Sequence, residues 1–147
     1  MNSNLSESIK NTELFMMAQF IDIMDVIDGY KNIEEVKEDI KNRKRTYQNY
    51  IKEMIESKNF LSLTLYNENI DTKIENCSEI YSTSIEYQTA LNKLETKYEN
   101  LLKKLEYIEQ KELEEIKGLI YELCDFDTHL AYKIGLIEGM KIKNKCT

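Results

Sequence analysis

The chain has 147 residues, which is enough for one domain with a moderate hydrophobic core. It contains no proline and only four glycines, so the residues that interrupt helices are scarce. Its formal net charge of −7 disfavours passive binding to the phosphates of nucleic acids and to anionic membranes.

The first predicted helix lies within residues 1–31 and ends near Asp28, because Gly29 follows the last apolar residue, where a left-handed cap would lie. Apolar side chains cover most of its circumference and leave a thin polar strip of Gln19, Asp22, Asp25 and Asp28. A helix of this kind must be surrounded, so we expect it at the centre of a bundle or in a subunit interface. Its most apolar stretch, 14–27, is too short to span a bilayer and contains two aspartates, which indicates a core helix.

The second predicted helix covers residues 32–59. Asn32 is the expected N-cap, and two glutamates follow it in the first turn, where the helix dipole favours them. The middle of this helix carries a basic cluster followed by two tyrosines, a combination that could grip phosphates and stack a base: Lys41, Arg43, Lys44, Arg45, Tyr47 and Tyr50. Acidic residues on both sides make the helix nearly neutral, which favours a solvated face instead.

The stretch 60–66 is ambiguous. Leucines at alternate positions have the period of a strand, but the same residues also fit a helical stripe. A single short strand has no partner within a helical chain, so we favour a helix or a turn-rich connection. A strand paired across a dimer is the alternative.

Residues 70–117 carry the clearest pattern. Apolar positions from Cys77 to Ile108 alternate spacings of three and four, and only Ser84 among them is polar. This heptad repeat predicts one helix of more than thirty residues, packed along a coiled-coil-like seam. If the helix is continuous over 73–117, it is about 67 Å long at 1.5 Å per residue. A shift in the pattern predicts a bend, if there is one, at 109–113.

The last predicted helix covers residues 118–143. Ala131, Gly135 and Gly139 follow one another at intervals of four and so lie on one face. Each glycine costs about 1 kcal/mol relative to alanine inside a helix, and close approach of another backbone, internal or from a partner, would offset that cost. The sequence AYKIGLIEG at 131–139 resembles the tails of short helical proteins of clostridial genomes and their phages. The resemblance implies no known activity.

No pattern for catalysis, cofactor binding or a metal is present. The sequence has no nucleophile elbow, P-loop or dinucleotide loop. His129 is the only histidine, and with Asp125 and Cys124 it offers too few ligands for zinc. The three aspartates of the first helix could hold a cation, but the Glu-x-x-His pairs of di-iron bundles are absent, which favours a solvated strip. Three separated cysteines without a CxxC pair, and an N-terminus without a leader pattern, indicate a reduced, cytoplasmic compartment.

These patterns together predict a single all-α domain, an antiparallel helical bundle with one long coiled-coil-like helix. We expect a non-enzymatic interaction or assembly module that binds a second copy of itself or a host protein, without a cofactor, a metal, a membrane or direct contact with nucleic acid. The candidate interface residues are Phe15, Phe20, Met24, Leu94, Tyr98, Leu101, Leu105, Ala131, Gly135 and Gly139.

The alternative function follows from the net charge. An acidic inhibitor, such as one encoded by a phage, could occupy the basic nucleic-acid-binding surface of a host defence or replication enzyme. That function predicts carboxylates concentrated on one exposed face, whereas an interaction module predicts exposed apolar surface.

Overall fold

A computed structural model describes residues 2–56 and 68–146, with side chains described for 6–56 and 72–130. The helices are α1 (Asn2–Gly29), α2 (Ile33–Glu56), α3 (Glu68–Tyr81), α4 (Ile85–Leu102) and α5 (Tyr107–Cys146). The described residues contain no strand, which confirms the predicted all-α bundle. The ambiguous stretch 60–66 lies outside the described residues. Over those described, no helix has the length and apolar character that crossing a membrane requires.

The first two helices form a hairpin. Only three residues join them, so α1 and α2 run in opposite directions. Asn32 is the N-cap that the sequence predicts, because its Oδ1 accepts a hydrogen bond from the backbone N–H of Glu34 at 2.9 Å. The left-handed cap expected at Gly29 is wrong, since this glycine is the last residue of α1 and its φ lies outside the left-handed region.

The prediction of one long heptad helix over 70–117 is wrong, because two turns divide that stretch. Ser84, expected in the seam, is instead the N-cap of α4: its Oγ accepts a hydrogen bond from the N–H of Tyr87 at 3.2 Å. The second turn lies at residues 103–106, and the bend expected at 109–113 falls inside α5. Gln110 supports this turn by donating from Nε2 to the carbonyl oxygens of Leu102 (2.7 Å) and Leu105 (3.0 Å).

The longest helix is therefore α5, with 40 residues. It covers both the end of the predicted heptad helix and the whole of the predicted helix 118–143. Its residues Leu113, Ile116 and Ile120 are fully buried, and α5 packs against both α1 and α2. It is the common support of the hairpin.

The core is built around α1, as its apolar circumference requires. This helix packs against α3, α4 and α5, and its buried side chains are Ile9, Met16, Met17, Phe20, Ile21, Ile23, Met24 and Ile27. Full burial of one such side chain is worth about 1.5–3 kcal/mol, so this helix supplies much of the hydrophobic stabilisation. It packs against three other helices, as expected of a helix at the centre of a bundle.

Ion pairs line the outer edges of these contacts. In the polar strip of α1, Asp25 accepts from Lys97 at 2.5 Å and Asp28 accepts from Lys104 at 2.8 Å. The residue numbers of the paired side chains increase in the same direction along both helices, so α4 runs parallel to α1. Exposed pairs of this kind contribute at most about 1 kcal/mol each, so they help set the register of helices that hydrophobic burial holds together.

Leu101 gives a direct test of the core. Its side chain is 4% exposed and belongs to the main hydrophobic cluster. We expect Leu101→Ala to lower the free energy of unfolding by about 2–5 kcal/mol, because it removes buried methyl groups and leaves a cavity. Urea unfolding followed by circular dichroism measures the change. The control is Ile85→Ala at a side chain 86% exposed, where we expect a change within about 0.5 kcal/mol; equal effects of the two variants would contradict the assigned core.

Candidate protein-binding groove

The hairpin helices diverge and leave a groove between them. α1 and α2 each pack extensively on α5, but they make few contacts with each other. The open space between them is about 510 Å³, with α1 and α2 as walls and α5 as the floor. The groove is therefore a consequence of two helices sharing one support without closing on one another.

The walls and floor of the groove are mainly apolar. The lining residues are Thr12, Phe15, Met16 and Gln19 from α1, Tyr47, Tyr50, Glu53 and Met54 from α2, and Ile120, Leu123, Cys124 and Asp127 from α5. Phe15 is 70% exposed and Tyr50 is 48% exposed. The ring of Tyr50 meets the ring of the buried Tyr47 edge to face, with 5.8 Å between their centroids, which fixes one wall.

Carboxylates mark the rim. Glu53 and Asp127 line the groove, and an adjoining depression that also includes Phe15 and Asp127 adds Glu7. Glu7 is paired with Lys10 at 2.9 Å, whereas no described lysine or arginine is paired with Glu53 or Asp127. Two acidic groups without a cation thus flank an apolar surface.

Asp127 has an altered acidity. Neighbouring apolar atoms remove part of the hydration of its carboxylate, and this desolvation raises its pKa above the ordinary value of 3.8. The ionised form is therefore slightly unfavourable in the folded chain. A cation placed beside it would favour ionisation and lower the pKa.

The predicted interface residues differ in how far they are exposed. Five of them are buried within the main core cluster and pack inside the subunit: Phe20, Met24, Leu94, Leu101 and Leu105. Tyr98 is half-buried, with its ring 5.9 Å from the ring of Phe20 and the ammonium of Lys117 4.3 Å from its own ring centroid. Phe15, by contrast, lies at the groove and is mostly exposed.

The remaining predicted residues are Ala131, Gly135 and Gly139. All three belong to α5, but their surroundings lie outside the described side chains. The proposal that another backbone approaches this face therefore stays a prediction.

Sequence reasoning missed most of the groove. Tyr50 and Met54 belong to α2, and Leu123 belongs to α5. The sequence alone does not show that these residues face one another, because that depends on how the helices pack. One signal was available. The apolar circumference of the first helix, to which Phe15 belongs, indicates either a central helix or an interface.

The cysteine in the groove floor is not suited to nucleophilic chemistry. Burial, together with the charge of the nearby Glu13, raises the pKa of the Cys124 thiol to about 12, so it is protonated at neutral pH. Burial followed by the same carboxylate also raises the pKa of Tyr81 and of Tyr87, whose rings meet edge to face at 5.3 Å. These groups form a structural cluster where α1, α3, α4 and α5 meet.

The other candidate motifs have structural partners. In the basic cluster, Arg43 is paired with Asp39 at 2.7 Å and Lys44 with Glu115 at 2.6 Å. His129 Nδ1 lies 2.6 Å from the carbonyl oxygen of Asp125, one helical turn earlier. Within the part of the chain that the structure describes, no group of three or more histidine, cysteine or acidic side chains could hold a metal. Comparison with protein-family models, curated proteins and solved structures gives no match.

Asp127 can be tested by stability. Because its folded pKa is raised, ionisation lowers stability at neutral pH, and that loss disappears as the pH falls through the folded pKa towards 3.8. Because Asp127 is exposed and solvent screens its charge, we expect Asp127→Asn to stabilise the chain at pH 7 only slightly, by less than about 0.5 kcal/mol, which raises Tm by at most about 1–2 °C. Thermal unfolding at pH 7 and below pH 3.8 measures the effect, which should vanish at the lower pH.

The matched control is Glu99→Gln on α4, which contributes no side chain to the groove lining. A loss of stability in Asp127→Asn at pH 7 would contradict the unfavourable desolvation of this carboxylate.

Proposed function

We propose that the chain is a non-enzymatic protein–protein interaction module and that the groove between α1 and α2 is its docking surface. The observation that carries the proposal is Phe15. This aromatic side chain is 70% exposed in the middle of the most apolar helix of the chain, beside an open groove. Covering such a surface with a partner removes apolar area from water and stabilises the complex.

The composition of the groove supports docking over small-molecule chemistry. Its apolar residues come from three helices, and Tyr50 and Phe15 present large, rigid rings of the kind that dominate interface energetics. Its one thiol has a pKa of about 12 and is not a nucleophile at neutral pH. The groove therefore offers anchoring surface without an evident reactive group.

The acidic inhibitor of a nucleic-acid-binding enzyme has less support. It requires carboxylates gathered on one exposed face, but several described carboxylates of α1 and α5 are paired with lysines from other helices. Three such pairs are Lys97 with Asp25, Lys104 with Asp28 and Lys44 with Glu115. A mixed surface of this kind resembles a nucleic-acid backbone poorly.

A photo-crosslinking experiment tests the proposal. We replace Phe15 with the photo-crosslinker p-benzoylphenylalanine, which keeps an aromatic ring at the groove. Cells that naturally produce the protein are then made to express this variant and are irradiated. We expect a discrete adduct, because a docked partner would lie within reach of this ring. Mass spectrometry of the adduct identifies the partner or a second copy of the chain.

Two controls define the result. The same reagent at Ile85, which is 86% exposed and belongs to α4, should give no such adduct. In the chain that carries the reagent at position 15, Tyr50→Ala should strongly reduce the adduct, because it removes a large apolar ring from the opposite wall of the groove. No adduct from position 15, or the same products from both positions, would overturn the proposed docking surface.

A further inference from the structure

The groove also indicates the chemistry of its partner, an inference that rests on the proposed function. We infer that the occupant is an amphipathic helix of another protein, with an apolar face that enters the groove and lysines or arginines along its edges. Three observations support this assignment: the groove has helical walls, it has acidic residues at its rim, and the chain as a whole carries a negative net charge.

The walls favour a helix as the bound element. An extended peptide gains affinity by adding to the edge of a sheet, and the described residues contain no strand that could offer such an edge. A helix satisfies its own backbone hydrogen bonds and needs from its partner only apolar contacts along one face. The space between α1 and α2 above α5 provides that kind of seat, because each wall is itself a helix.

The rim favours cations at the edges of that helix. Glu53 belongs to the α2 wall and Asp127 to α5 at the floor, both are exposed, and neither is paired with a described lysine or arginine. The partly desolvated Asp127 carboxylate has lost hydration that a bound lysine or arginine would replace. Acidic side chains on the incoming helix would instead meet like charges.

The net charge argues against a second copy as the occupant. Each chain carries −7, so two chains repel each other at long range, whereas a basic helix is attracted towards the acidic rim. The groove lining contains no cation that could pair with the carboxylates of another copy. The charges therefore point to a basic partner.

Two labelled peptides of about 18 residues test the inference. Both carry leucines at helical spacing on one face; one has lysines beside the leucines, and its twin has glutamates there. Fluorescence anisotropy with the intact chain at low salt should show the lysine peptide binding at least tenfold more tightly. The difference should shrink at high salt, because screening weakens exposed charge pairs.

Variants of the chain assign the effect to the rim. The double variant Glu53→Gln, Asp127→Asn should lose most of the preference for the lysine peptide while keeping its fold by circular dichroism. Glu99→Gln on α4, which removes the same charge away from the groove, should keep the preference. Tyr50→Ala should weaken the binding of both peptides, because it removes apolar surface from a wall that each peptide uses and adds no charge.

Several outcomes would overturn the inference. Equal binding of the two peptides would show that the rim does not select charge, and tighter binding of the glutamate peptide would reverse the assignment. Absence of binding by either peptide would reject an amphipathic helix of another protein as the occupant. An adduct at position 15 combined with any of these results would leave the docking surface intact and reject only the partner class.

Discussion

The apolar circumference of α1 is the constraint on which the rest of the structure depends. A helix with hydrophobic side chains on most sides cannot be covered by one neighbour, so α3, α4 and α5 all pack against it. Phe20 and Met24 are almost completely buried as a result. Its covalent neighbour α2 contributes little to this cover and packs on α5 instead, so one sector of α1 near Phe15 stays open.

The sequence predicted the buried residues in the middle of the repeat, but it was wrong at the seam positions Ile80 and Ile108, which are exposed, and wrong about how many helices carry the repeat. Leu94, Leu101 and Leu105 are buried as the repeat predicts, yet the first two belong to α4 and the third lies in the turn before α5. Spacings of three and four describe any amphipathic helix over two turns, and they distinguish one long helix from several short ones only when nothing else ends a helix. Here something did.

Polar side chains, and not proline or glycine, accompany the two turns that divide the predicted helix. The hydroxyl of Ser84 satisfies the N–H of Tyr87 and so stabilises a new helix start within an unbroken apolar pattern. At the second turn, the Gln110 amide satisfies two carbonyl groups near the end of α4 from the first turn of the next helix. The serine was visible in the sequence as the polar exception in the seam; the glutamine was not, because its partners are fixed by the turn itself.

The groove could not be predicted because it depends on the angle between two helices, and that angle depends on a third. Both walls are predictable as helices, but only packing on α5 holds Phe15 and Tyr50 on opposite sides of an open space. If α1 and α2 closed on each other, these two rings would bury one another and extend the core. Instead the chain leaves them exposed and places Asp127 at their edge, where its carboxylate loses hydration without gaining a described cation. Exposed aromatic surface and a partly desolvated carboxylate without a described cation are each slightly unfavourable for the isolated fold, and binding of a helix with an apolar face and basic edges would relieve both at once.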